Sequence, residues 1–180
     1  MGASHFGWLP RFSPSIREQR RDRGGRSPQA HINLQAASGD STMTPTTFVR
    51  ALAAVHLPNV FNPYADTCNV YDQGDAPAVR RRNLRTLLTA AERLGIDTIW
   101  MGRDLGYRGG RRTGLALTDE RHLPVMNQIY PGTESSRTTV GPEVAERTAA
   151  EIWAVLSLLD KPPLLWNVFP LHPHEAGDPF

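Results

Sequence analysis

The sequence predicts an α/β protein with a parallel sheet, and three observations carry that prediction. Residues 97–102 and 164–169 each read as a short apolar strand running into a turn marked by glycine or proline. Amphipathic helical patterns precede and separate them, the spacing at which strands pair in parallel through right-handed crossovers. Asp104 and Asn167 then fall at the carboxyl ends of the two strands, where such sheets build their sites.

The elements follow in order. Residues 1–42 are rich in Arg, Ser, Gly, Pro and Gln without a sustained apolar period, so they are expected to form a disordered basic tail. Thr44-Pro45 is an N-cap followed by proline in the first turn, and Phe48, Leu52 and Val55 recur at helical spacing, predicting a helix over about 45–55. Residues 57–75 read as a long loop pinned by Phe61, Tyr64 and Tyr71. Asp75 is expected to cap a second helix, with Leu84, Leu87, Leu88, Ala91 and Leu94 as its buried stripe and Gly95 as its stop.

Residues 97–102 are apolar enough for a central strand. A long loop follows, and then a third helix over about 142–159 that buries Val144, Thr148, Ile152, Val155 and Leu159. Pro162-Pro163 ends it ahead of the second strand, 164–169. Two parallel strands do not cover one another, so the pattern reads as the front portion of a larger fold.

Composition narrows the function classes. The net charge is +2, yet residues 1–42 carry six arginines against Glu18, Asp22 and Asp40, so the ordered part is not basic overall. Lys161 is the one lysine among 20 basic residues. Arginine clusters at 80–82 and 108–112 suit a polyanion or a solvated helix face. The single cysteine, Cys68, excludes an intramolecular disulfide and a multi-thiolate metal site, and it favours a reducing compartment. With no apolar run long enough for a bilayer, the chain is expected to be cytoplasmic and free of membrane.

Asp104 follows its strand on a turn loosened by Gly102 and Gly106, where a carboxylate orients water or faces a developing cation. The same residue type also caps turns. Asn167 interrupts an apolar strand, so its amide is expected to be buried and paired; it either reads a nucleobase edge or ties down neighbouring backbone. Tyr107 to Arg112 mixes an aromatic ring, glycines and arginines in the manner of a nucleic-acid contact. His172, His174 and Glu175 lack the further ligands of a metal site.

These segments resemble the uracil-DNA glycosylase superfamily. Gly102-Arg103-Asp104-Leu105-Gly106-Tyr107 is similar to its first active-site motif, and Leu164-Leu165-Trp166-Asn167 to the strand ending in its base-reading asparagine. The likeness is greater to bacterial members with a Phe-Asn-Pro-Tyr-x-Asp segment (61–66 here), a glycine-arginine loop (106–114) and a Trp-Asn-x-Phe-Pro-x-His-Pro-His strand end (166–174).

The resemblance implies a three-layer α/β/α fold with a central parallel sheet over residues 43–180. It implies a hydrolase that flips uracil from DNA and cleaves its N-glycosidic bond, as a monomer and without a cofactor. Asp104 and Asn167 would be the catalytic pair. Gly102, Arg103, Leu105, Gly106 and Tyr107 would contact substrate along the first motif, joined by Arg108, Leu117, Pro170 and His172.

Departures bear on specificity. Leu105 stands in place of the family's proline, Gly106 where the most selective members carry tyrosine, and Leu117 in place of a stacking phenylalanine, so a broader pocket is expected. The family's carboxyl-terminal strands and His-Pro motif have no counterpart before Phe180. A donor missing from the leaving base costs about 2.7–4 kcal/mol. The alternative expectation is therefore a non-catalytic remnant that binds nucleic acid weakly.

Overall fold

The computed structural model describes residues 43–177, so the expected basic tail over 1–42 lies outside the described residues. Helix α1 (Pro45–Ala53) starts as the sequence predicts, with Thr44 Oγ1 accepting from the Thr47 amide and proline in the first turn. It packs against α2 (Ala76–Arg93). Leu84, Leu87 and Ala91 of α2 are buried, whereas Leu94, just past the helix, is exposed. Asp75 precedes α2 but makes no side-chain capping bond; the helix starts through backbone bonds from Ala78 and Val79 to the Asp75 carbonyl. Gly95 ends it at φ +59, a conformation that suits glycine.

Strand β2 (Ile99–Gly102) pairs in parallel with β3 (Leu164–Asn167), placing Gly102 opposite Asn167. This is the parallel α/β unit the sequence predicts, in a two-stranded sheet. It differs from a fully buried central pair, because Ile99 and Met101 are exposed and only alternate residues of β3 are buried. A second two-stranded sheet was not legible in the sequence: β1 (Val60–Phe61), inside the expected long loop, pairs antiparallel with β4 (His172–Pro173). That pairing holds the segment after β3 against the 57–75 region.

The long loop after β2 also contains structure. It holds α3 (Gly110–Thr113), a 3₁₀ turn at Glu120–His122 and α4 (Leu123–Ile129). The third predicted helix is shorter than expected and turned about its axis. It spans α5 (Arg147–Leu156) and buries Ala149, Trp153 and Leu156, while Val155 and Leu159 are exposed. It starts late because the amides of Val144 and Glu146 donate to the buried carboxylates of Glu120 and Asp119 (2.8 and 2.7 Å), which keeps 142–146 extended.

The core gathers Leu84, Leu87, Leu115, Leu123, Met126, Tyr130, Trp153 and Leu165 from both sides of the chain. Arg80 departs from the solvated-face reading of the triple-arginine run. It is fully buried and paired with Asp72, also buried, through Nη1 to Oδ2 at 2.9 Å and through Nη2 to Oδ1. Its Nε donates to the Arg112 carbonyl at 3.0 Å, which ties α2 to the loop carrying the candidate site.

Candidate functional site

The site is built where β2 and β3 end. Past their last paired residues the two segments keep running side by side: the Val168 amide donates to the Gly102 carbonyl, Phe169 to Arg103 and Leu171 accepts from Leu105, at 2.9, 2.9 and 3.1 Å. Asp104 and Asn167 therefore stand on adjoining segments at one end of the sheet.

Asn167 is 1% exposed, and neither Oδ1 nor Nδ2 has a hydrogen-bond partner among the described residues. This corrects the expectation of a paired amide. Leaving such a group unsatisfied costs about 1–3 kcal/mol, and buried polar groups are ordinarily satisfied. The amide is enclosed by two neighbours. A methyl group placed on Gly102 would overlap its Oδ1 and would stand 2.9 Å from Cδ2 of Leu117, so glycine at 102 is what admits the amide. Leu117 itself holds φ +53, a left-handed backbone that costs a leucine energy, and its carbonyl is fixed by Trp153 Nε1 at 3.1 Å.

The Asp104 side chain is 18% exposed and its Oδ2 accepts from Nε of Arg103 at 2.7 Å. The Arg103 side chain is 91% exposed, so it screens the carboxylate from the solvent side and its remaining nitrogens face water. His172 donates from Nδ1 to the Leu105 carbonyl (2.6 Å) in the tautomer that leaves Nε2 as an acceptor. Burial pushes its pKa below the usual histidine value, helped by Arg111 and His174 and opposed by the Leu105 hydrogen bond and the Asp104 charge. Burial thus favours the neutral imidazole beside the strand ends.

The glycine-arginine turn completes the surroundings. Leu105 is buried, and Pro170 is half-buried between the two sheets. Gly106 and Gly109 carry the Glu146 carboxyl directly against them: a methyl at Gly106 would stand 2.6 Å from Oε1, and one at Gly109 would overlap Oε2. Burial raises the Glu146 pKa, the Asp119 charge adds to the rise, and Arg108 opposes it. Sequence reasoning missed Glu146. The signal available was the Gly-x-x-Gly spacing of 106 and 109, which marks a close approach without naming the approaching group.

Tyr107 is 56% exposed. With Arg108, Arg112, Tyr71, Val70 and Val144 it lines a cleft of about 300 Å³. A larger, mainly apolar groove, about 380 Å³, lies at the opposite ends of the strands beside Ile99 and Leu164, the first residues of β2 and β3, with Glu92 and Asp97 as its charged lining residues. No cluster of three or more His, Cys, Asp or Glu able to hold a metal occurs among the described residues. None of their helices is long and apolar enough to cross a membrane.

Chemically, the arrangement offers a buried amide with a free donor and a free acceptor, a carboxylate on the adjoining segment, and an imidazole whose burial favours the neutral form. Neither a family model, a curated protein nor a solved structure matches the chain.

Proposed function

We propose that this chain is a DNA glycosylase of the uracil class, an N-glycosyl hydrolase acting on a base extruded from DNA. The observation that carries the reading is the Asn167 amide, buried at the end of a parallel strand with both polar atoms unpartnered. A group that costs stability at a strand end is retained for a ligand that pairs with it. The partner must offer an acceptor and a donor side by side on a planar edge, which a uracil O4 and N3–H do. The absence of a side chain at Gly102 leaves room for the amide, since a methyl there would overlap its Oδ1.

Asp104 supplies the second half of the chemistry. Its carboxylate orients a water toward C1′ of the deoxyribose and offsets the positive charge that develops on the sugar as the C1′–N1 bond breaks. The bonding electron pair leaves with the base, the water oxygen bonds to C1′, and the water's proton passes to solvent or to the departing base. Leu105 and Leu117 give the base an apolar surface, and Tyr107 with Arg108 lies where flanking phosphate and sugar would run. The three-layer fold with a full central sheet, DNA as partner and a monomeric state belong to the same proposal.

The test is base release from an oligodeoxynucleotide holding one uracil, read as strand scission at the abasic site after alkali. Wild-type protein is expected to cleave and Asp104→Asn to lose roughly 10²-fold or more. Absence of cleavage by wild type in molar excess, or equal cleavage by Asp104→Asn, overturns the reading.

A further inference from the structure

We propose that the groove between α1 and α2 is a separate docking site for the phosphodiester backbone of a nucleic acid strand. It goes beyond the glycosylase reading and rests on none of its residues. The groove has a volume of about 550 Å³, the largest of the cavities described, and it is formed by two matched helical stripes. Helix α1 presents Thr46, Val49 and Arg50, and α2 presents Arg81, Arg82 and Arg85. Both sets recur at the three- and four-residue spacing that puts side chains on one helix face.

Where two helices meet, those positions ordinarily carry apolar side chains or opposite charges. Here four arginines line the groove, and no aspartate or glutamate does. Two of the four are anchored at their far ends: Arg81 Nη1 donates to the Tyr64 carbonyl at 2.5 Å, and Arg82 Nη2 to Ser136 Oγ at 2.6 Å. The anchors hold the two guanidinia in place, so they are preorganised. Arg50 and Arg85 are exposed and bond to nothing among the described residues, which leaves their planar forks open for bidentate contact with phosphate oxygens.

Arg81 and Arg85 lie one turn apart, about 6 Å along the axis. With Arg50 contributed by the other helix, the groove offers several guanidinium groups from two elements, which suit successive phosphates of one strand. The run that reads in sequence as a solvated face thus divides three ways. Arg80 is a buried structural ion, Arg81 and Arg82 are fixed donors, and Arg85 joins Arg50 as a free cation.

The experiment measures fluorescence anisotropy of a labelled, uracil-free single-stranded oligodeoxynucleotide with the full chain, across 50–200 mM salt. Arg50→Gln/Arg85→Gln is expected to keep the melting temperature and to lose two phosphate contacts. The slope of log affinity against log salt then falls by about 1.4, so the loss of affinity across that salt range shrinks by about sevenfold. Arg50→Lys/Arg85→Lys, which keeps the charges, is expected to restore most of the slope. Unchanged affinity and slope in the glutamine variant overturn the proposal. So does tripolyphosphate that displaces the oligonucleotide as well as unlabelled strand does at equal phosphate concentration, because a free polyphosphate then fills the groove. Because the probe holds no uracil, failure here leaves base release intact, and failure of base release leaves this result standing.

Discussion

Gly102→Ala is the substitution that most sharply separates stability from function in this chain. The added methyl would overlap Oδ1 of Asn167 and come within 2.9 Å of Leu117 Cδ2. Both atoms are ends of side chains, so the clash is relieved by rotating the amide rather than by moving backbone. Overpacking of this kind costs about 1–3 kcal/mol, and the relieved case belongs at the lower end, near 1 kcal/mol, or ~3 °C in Tm. Function is more sensitive. An amide displaced by about 1 Å from its partner's position costs roughly 10²-fold in rate. The assay pairs thermal melting with uracil release, and a ¹⁵N-detected spectrum of the Asn167 side-chain NH₂ adds a readout independent of turnover. The expected result is a nearly intact fold, a shifted Asn167 amide resonance and activity down about 100-fold. A Gly102→Ala protein with wild-type activity and an unmoved amide would refute the reasoning.

Three further outcomes follow from the same geometry. Asn167→Leu replaces an unsatisfied buried amide with an apolar group of similar shape, so Tm should rise by a few degrees, on the order of 1–3 kcal/mol, while uracil release is lost; calorimetry beside the cleavage assay checks it. Arg80→Met strands the buried Asp72 carboxylate and should cost about 3–5 kcal/mol in denaturant melts, part of which Asp72→Asn in the same chain recovers. His172 and Glu146 give stability opposite pH dependences. The His172 pKa is held below 6.5 in the fold, so its contribution is full above 6.5 and is lost as pH falls through the folded value; His172→Gln should flatten that part of the stability profile. The Glu146 pKa is held above 4.5, so its contribution is full below 4.5 and is lost as pH rises; Glu146→Gln should raise Tm at pH 7 relative to wild type but not at pH 4.

Much of the site's backbone was legible because it rests on local signals. The apolar runs ending at Gly102 and Asn167 pair in parallel register, and Thr44-Pro45 and Gly95 bound their helices as their chemistry dictates. The phase of α5 was not legible. Ile152, Val155, Leu158 and Leu159 put apolar side chains on several faces, and the choice was made by Trp153, which stacks on His122 and meets Tyr130 edge-on across the core. Helix α4 spans seven residues, too few for a period to stand out, although Asp119 before it does accept from the His122 amide at 3.1 Å. The β1 and β4 strands have two residues each and carry no alternation at all.

At the candidate site the sequence exposed residue types but not their satisfaction. Asn167 reads as an amide that ought to be paired, and only the surroundings of Gly102 and Leu117 reveal that it is not. Glu146 lies 40 positions beyond Gly106 and reaches it through a segment held extended by Asp119 and Glu120, a long-range arrangement that no local pattern encodes. Arg80 shows the same limit, since nothing in Arg80-Arg81-Arg82 distinguishes the buried ion from its less buried neighbours.

The most direct test of the account follows the Asn167 side-chain NH₂ signal in Asp104→Asn protein, which retains the amide and is expected not to turn over. The protein is titrated with an oligodeoxynucleotide containing one uracil, and in parallel with the same strand containing cytosine at that position. The account predicts a large, saturable shift of that resonance with the uracil strand and little with the cytosine strand. An Asn167 signal that stays in place when the uracil strand binds, or moves equally for both strands, would contradict it.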